Sequence, residues 1–337
     1  MNDGATRVDP TRRLSPVVRL APAKLNLTLA IVSRRGDGYH DLHSVFAPLG
    51  LADRLSLALT TATEDTVHVS GFDAGPAADN LVTRAITATR TAVGGGWPGG
   101  PAPAPALAAR LEKRIPVAAG LGGGSSDAAA ALDGALEAWA AELDPDTRFR
   151  LAARIGSDVP FFLAGGPALV EGRGEQVVPL SGLHGTPGVL LVTPAIAVST
   201  PDVFAAFDAI RSHGDGAVRM TSTHLAEELR AKLSTADLVA RAGAMTVAND
   251  LLPAVALVVP ALVPFRRAIS RLLGRPIGLS GSGPTLWALY PSETDAVDAS
   301  VLVRGALADG RLSAPGTEDP FIAATTIQHG QQPGSQP

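Results

Sequence analysis

The chain has 337 residues, enough for one large domain or two modest ones, and its 46% hydrophobic and 18% charged content suits a globular protein with a full core. A formal charge of −4 counts against a dedicated nucleic-acid binder, and the absence of cysteine excludes disulfides, thiolate metal sites and a cysteine nucleophile. No run reaches the ~18 apolar residues of a membrane span, and residues 1–16 lack the apolar core of a secretory signal. A cytoplasmic protein with no nucleic-acid or membrane partner, monomeric or weakly dimeric, is expected.

Residues 1–16 are polar and aperiodic and are expected to be a disordered tail. Residues 17–32 carry two apolar, β-branched runs around Ala21-Pro22, the pattern of paired strands. Within them Lys24 and Asn26 are two apart and share a strand face, with Leu25 and Leu27 on the other. Lysine occurs only at positions 24, 113 and 232, so Lys24 is either a solvent-facing strand residue or a required ammonium. The glycine-punctuated segment Arg34–Leu42 sets Tyr39 beside His40. It is an ordinary polar turn, or a ring and an imidazole that stack on and hydrogen-bond a flat heterocycle. Residues 41–60 suggest strands with a turn at Gly50 to Asp53, and Asp79-Asn80 opens a helix. Residues 94–106, rich in Gly and Pro, are a loop insertion; the prolines forbid the helix that its Gly94-Gly96-Gly99 spacing would need as a dinucleotide fingerprint.

A strand near 105–112 leads through Lys113-Arg114-Ile115-Pro116 to the run Ala119-Gly-Leu-Gly-Gly-Gly-Ser-Ser-Asp127 and an alanine series. Glycines that let the backbone approach an anion, followed by a helix start, make a phosphate site; a flexible loop capping a helix is the alternative. It has no Walker lysine and fails the Gly-x-Gly-x-x-Gly spacing. Helices are predicted at 125–141 and 146–155. Asp158 then stands between a Gly-Ser turn and the apolar Val159-Pro160-Phe161-Phe162, as a helix cap or as a carboxylate at an apolar wall that requires Lys24. Strands follow near 167–171, 176–180, 188–193, 277–280 and 284–290, among helical patterns over 201–310. Leu279–Thr285 is a second Gly-Ser turn, suited to close packing or to donors near a phosphate. Residues 313–337 are expected to be a second disordered tail. Strands and helices do not alternate regularly, so the class is α+β.

Taken in order, Pro22–Leu27, Asp37–His40, Gly120–Ser126, Gly156–Phe162 and Ser280–Thr285 resemble the GHMP kinase superfamily, over residues 17–312. Lys24 with Asn26 and Asp37–His40 resemble the branch whose acceptor is a methylerythritol carried on cytidine diphosphate. The resemblance implies a two-lobed α+β fold, an ATP-binding lobe over 17–180, a second lobe over 181–312, and an active site in the cleft between them. It implies phosphorylation of a 2-hydroxyl of that small-molecule substrate by ATP with Mg²⁺, in the non-mevalonate isoprenoid pathway. Lys24 and Asp158 match the catalytic pair. Pro116, Val117, Ala118, Ala119, Gly120, Leu121, Gly122, Gly123, Gly124, Ser125 and Ser126 match the ATP loop. Tyr39, His40 and Phe204 match the cytosine site, Asn26 a substrate contact and Phe46 a pocket wall. For the metal, Ser125, Ser126 and water are open alternatives. The 94–106 insertion leaves the adenine side open, including Asn80, whose other role is a helix cap. Ser44 stands where threonine is common. The rivals are another kinase of the superfamily and a non-catalytic nucleotide- or RNA-binding module. The ring residues favour a heterocyclic substrate over the first; net acidity and the presence of both Lys24 and Asp158 count against the second.

Overall fold

The computed structural model describes residues 15–76, 79–94, 97–98, 103–210 and 216–329. β1 (Val17–Asn26) and β2 (Ala30–Arg34) both pair antiparallel with β3 (His40–Leu59). The strands expected within 17–32 therefore pair with β3 rather than with each other. Pro22 sits inside β1, where the register shifts between Pro22 and Lys24, so its missing N–H interrupts the ladder at an irregularity. The turn expected at Gly50 to Asp53 is also absent, and β3 runs straight through it. Asp53 is no turn residue: fully buried, its carboxylate accepts the Arg114 and Ile115 N–H groups at 2.5 and 2.8 Å.

β4 (Thr66–Gly71), α1 (Leu81–Val93) and β5 (Leu107–Lys113) follow, then α2 (Gly123–Ala138), α3 (Pro145–Ile155), α4 (Val159–Ala164), β6 (Ala168–Gly172) and β7 (Gln176–Pro179). The seven strands form one sheet, ordered β4-β5-β3-β6-β7, with β1 and β2 also on β3. Asn80 caps α1, its Oδ1 accepting the Val82 N–H at 2.9 Å. The alanine run gives α2 a small-residue face. That face packs with α1 against Leu55, Leu57, Leu107 and Leu111 of the sheet. The end of the 94–106 insertion is anchored: Trp139 Nε1 donates to the Pro105 carbonyl, and Ala104 and Ala106 are buried.

The second half holds β8 (Leu183–His184), β9 (Gly188–Thr193), α5 (Thr200–Ile210), α6 (Ala217–Arg230), β10 (Leu233–Ser234), α7 (Thr235–Ala240), α8 (Ala242–Met245) and α9 (Leu252–Val258). After them come α10 (Leu262–Leu273), β11 (Gly278–Leu279), β12 (Leu286–Tyr290), α11 (Glu293–Ala308) and β13 (Phe321–Thr326). β11-β12-β9-β13 make a second antiparallel sheet, backed by α5, α9, α10 and α11 through Val203, Val255, Phe265, Ile269 and Val303. A further core is common to both sheets: Leu25, Leu27, Val45, Leu49 and Ile115 meet Leu191, Leu225, Trp287 and Ile327. The halves are thus joined by shared apolar interior, which fixes the groove between them.

The expected tail 313–337 is corrected by β13. Phe321–Thr326 pairs residue for residue with β9, Ile327 is buried, and the Thr325 hydroxyl accepts the Leu51 N–H at 2.8 Å. The apolar, β-branched run Phe-Ile-Ala-Ala-Thr-Thr-Ile has strand character, masked in composition by the Pro-, Gly- and Gln-rich residues around it. Residues 330–337, and residues 1–14 of the other expected tail, lie outside the described residues. Among the described residues no single helix is long and apolar enough to cross a membrane.

Candidate active site

β5 delivers the chain through Pro116 into the glycine loop, and the loop opens α2. Ala118, Gly120 and Gly122 have φ of 53°, 77° and 68°, the left-handed region. Gly122 occupies the N-cap with no side-chain cap, so the N–H groups of Gly123, Gly124 and Ser125 begin the helix without intrahelical partners. Pro116, Ala119 and Leu121 are buried and shape the loop from beneath; Val117, Ala118 and Gly124 are exposed at its rim. A Cβ on Gly122 would lie 2.9 Å from Lys24 Cγ and 3.1 Å from Phe162 Cζ, and one on Gly120 would overlap the Ser280 carbonyl oxygen. The loop is therefore clamped between β1 and the second glycine–serine turn. The Lys24 N–H donates to Leu121 O at 2.8 Å, and Ser280 Oγ donates to Gly120 O at 2.9 Å while accepting the Asn26 N–H at 3.3 Å. Of the two uses expected for Leu279–Thr285, these bonds show close packing.

Beneath the loop Lys113 joins two buried carboxylates, Asp53 and, at 2.7 Å, Asp127. Burial pushes Asp127 up to about 7; Lys113 pulls it down and Asp53 pushes it further up. Between the unfolded value of 3.8 and about 7 the folded chain keeps a proton that the unfolded chain has lost. This contribution to stability is complete below pH 3.8 and lost as pH rises through about 7. Asp127→Asn should flatten the pH dependence of the urea midpoint over that window; an unchanged slope would remove Asp127 as its source.

The Lys24 ammonium is 2.6 Å from Asn26 Oδ1, 3.5 Å from Asp158 Oδ2 and 4.4 Å from the centre of the Phe46 ring. Asp158 stands at the N-cap of α4 but makes no side-chain capping bond, so its carboxylate serves the Lys24 pair instead. Burial draws the Lys24 pKa below the ordinary lysine value, and Asp158 draws it part of the way back by favouring the charged form. Asn26 is itself aimed: its Nδ2 donates to Ser44 Oγ at 3.1 Å, and that hydroxyl donates to the Thr28 carbonyl. Phe46, implied as a pocket wall, is fully buried against Phe161 and is instead the floor under Lys24. A Cβ on Gly156 would lie 3.9 Å from Ser125 Oγ, so the turn before Asp158 packs close to the start of α2.

At the other end His40, nearly buried, stacks on Phe204 with centroids 4.9 Å apart, and its Nε2 lies 2.8 Å from Asp208 Oδ1. Tyr39 is 55% exposed and makes no ring contact with Phe204; the Arg173 guanidinium lies 5.3 Å over its ring. So the structure brings together His40 and Phe204 but sets Tyr39 apart from both. Asp208, Arg173 and Ser280 were not singled out as site residues from the sequence. Asp208 had a usable signal, since it lies four residues after Phe204 on one helix face.

Residues 80–166 match the family model of the GHMP kinases N terminal domain. The chain is similar to the 4-diphosphocytidyl-2-C-methyl-D-erythritol kinase of Pelotomaculum thermopropionicum, 37% identical over 81% of this chain and 88% of that one. It is 39% identical to the same-named kinase of Nocardia farcinica, over 87% and 91%. A crystal structure of 4-(cytidine 5'-diphospho)-2C-methyl-D-erythritol kinase superposes with a TM-score of 0.66 at 31% identity, covering 92% of this chain and 99% of that one.

Proposed function

This chain belongs to the 4-diphosphocytidyl-2-C-methyl-D-erythritol kinases, and from that premise we propose how its cleft works. It is a small-molecule kinase of the non-mevalonate isoprenoid pathway with ATP as co-substrate. The reading is transfer of the γ-phosphoryl group to the 2-hydroxyl of 4-diphosphocytidyl-2-C-methyl-D-erythritol. One observation carries it: Lys24, whose ammonium pairs with Asp158 at 3.5 Å, packs directly against Gly122, where the phosphate loop opens α2.

Phosphoryl transfer needs positioning and charge stabilisation more than covalent chemistry. The free N–H groups at the start of α2 hold the β- and γ-phosphates, with the helix dipole behind them. Asp158 accepts the proton of the acceptor hydroxyl as its oxygen bonds to phosphorus and ADP leaves. Lys24 keeps that carboxylate ionised and offsets the negative charge that develops. Asn26, fixed by Ser44, directs the ammonium. Mg²⁺ arriving with ATP fits this donor set, because it needs few protein ligands beside the phosphates. The half-buried Ser125 hydroxyl would hold it, whereas Ser126 Oγ is buried in the helix. The metal would neutralise phosphate charge there.

The base is read at His40. Asp208 accepts from Nε2–H, which leaves Nδ1 as an acceptor for the exocyclic amine of cytosine. Phe204 supplies the stacking face beside it; Tyr39, which stands apart from Phe204 with its ring exposed, would cover the base from the outer side. His40→Ala should raise the KM for the cytidine substrate about 10- to 100-fold. Asp208→Asn should raise it by less, and the KM for ATP should stay within about twofold in both. An unchanged KM in His40→Ala would move the base site elsewhere.

The test of the whole reading is ADP release with ATP and Mg²⁺, comparing 4-diphosphocytidyl-2-C-methyl-D-erythritol with homoserine and mevalonate. Turnover confined to the cytidine substrate supports it. Turnover with another alcohol would overturn the base site and keep the phosphoryl chemistry.

A further inference from the structure

We propose that Arg173 binds the diphosphate of the nucleotide-linked substrate, an inference that rests on the base and acceptor ends assigned above. Arg173 lies in the β6–β7 turn, Gly172-Arg173-Gly174-Glu175. That turn is pressed against the catalytic segment: a Cβ on Gly174 would lie 3.0 Å from Ser157 O and 3.2 Å from Asp158 Oδ1. The arginine side chain leaves this point and reaches Tyr39, with its guanidinium 5.3 Å from the ring centre. It therefore spans from the carboxylate that meets the alcohol to the ring that meets the base. In a cytidine diphosphate substrate the two phosphates lie between those ends, so they must cross this span.

The charge inventory points the same way. Lys24 is paired with Asp158, Arg34 with Asp208, and Arg35 with Asp37 and Asp41. Arg173 has only the loosest of these pairs, with Glu175 two residues on. Its Nε is buried without a hydrogen bond, and the nearest carboxylate oxygen, Glu175 Oε2, is 3.8 Å away, beyond hydrogen-bond reach. That oxygen is already taken by the backbone N–H of Arg173 at 2.7 Å. A buried donor left unmade beside a ligand groove is an exception that asks for a ligand. A planar guanidinium fork suits two phosphate oxygens better than an ammonium does.

The experiment titrates CDP and cytidine into the wild-type protein and into Arg173→Met and Arg173→Lys. CDP should bind the wild type more tightly than cytidine does. Arg173→Met should lose about 10- to 100-fold in CDP affinity while cytidine affinity stays within about twofold, which also shows that the variant is folded. Arg173→Lys should recover part of the loss, and the substrate KM should follow the CDP series with the ATP KM unmoved. Equal CDP affinity in wild type and Arg173→Met overturns the proposal. A wild type that binds neither CDP nor cytidine overturns the base-site reading beneath it.

Discussion

Asp158→Asn should lower kcat by a factor of about 10² to 10⁴, with the KM for ATP within about twofold of wild type. Asparagine keeps the volume and the N-cap position but removes both the charge and the capacity to take a proton. Asp158 makes no capping bond, so α4 loses nothing by the change. The second consequence falls on Lys24, which is buried and loses the carboxylate that favours its charged form. In the proposed mechanism ground-state ATP binding rests on the loop N–H groups, which the substitution does not reach. Steady-state ADP release with a melting curve separates the effects. Full turnover in a folded variant would remove Asp158 from the chemistry.

Gly120→Ala is expected to damage the loop from the other side. An alanine held at a φ of 77° carries about 1–2 kcal/mol of strain, or roughly 1–3 °C of melting temperature in a chain of this length. Its Cβ would also overlap the Ser280 carbonyl and lie 3.1 Å from Gly283 O. Neither can retreat. Ser280 O accepts the Gly283 N–H at 2.9 Å, and Asn249 Nδ2 holds the Leu279 and Gly281 carbonyls at 3.2 and 2.9 Å. The loop must therefore move, and the ATP KM should rise more than about tenfold. Gly124 supplies the contrast. It is helical and its nearest neighbour, Leu81 Cδ1, is 3.7 Å away, so Gly124→Ala should leave the melting temperature unchanged or raise it. Equal melting losses at both positions would mean that the clamp on Gly120 is not what makes it glycine.

The parts of the site legible in the sequence are those fixed by neighbours a few residues apart. The glycine loop, the shared face of Lys24 and Asn26, and the cap at Asn80 need only local geometry. The Lys24–Asp158 pair was legible for a different reason: a carboxylate beside Phe161 and Phe162 requires a cation, and lysines are few. What was not legible is set by distant partners. Gly50 to Asp53 has turn composition, yet Asp53 serves the end of β5 some 60 residues on, and that keeps β3 unbroken. The strand within Phe321–Thr326 owes its place to β9, which no local pattern announces. Arg173 is an unremarked turn residue until the fold sets it over Tyr39.

The burial of Lys24 and Lys113 has a practical corollary for handling the protein. Of three lysines, only Lys232, on the turn after α6, is exposed to solvent. Amine-directed dyes, cross-linkers and sensor surfaces thus meet a single lysine besides the terminal amine. A molecule attached through Lys232 is held in one orientation, and neither the Lys24 nor the Lys113 ammonium is offered to the reagent while the chain stays folded.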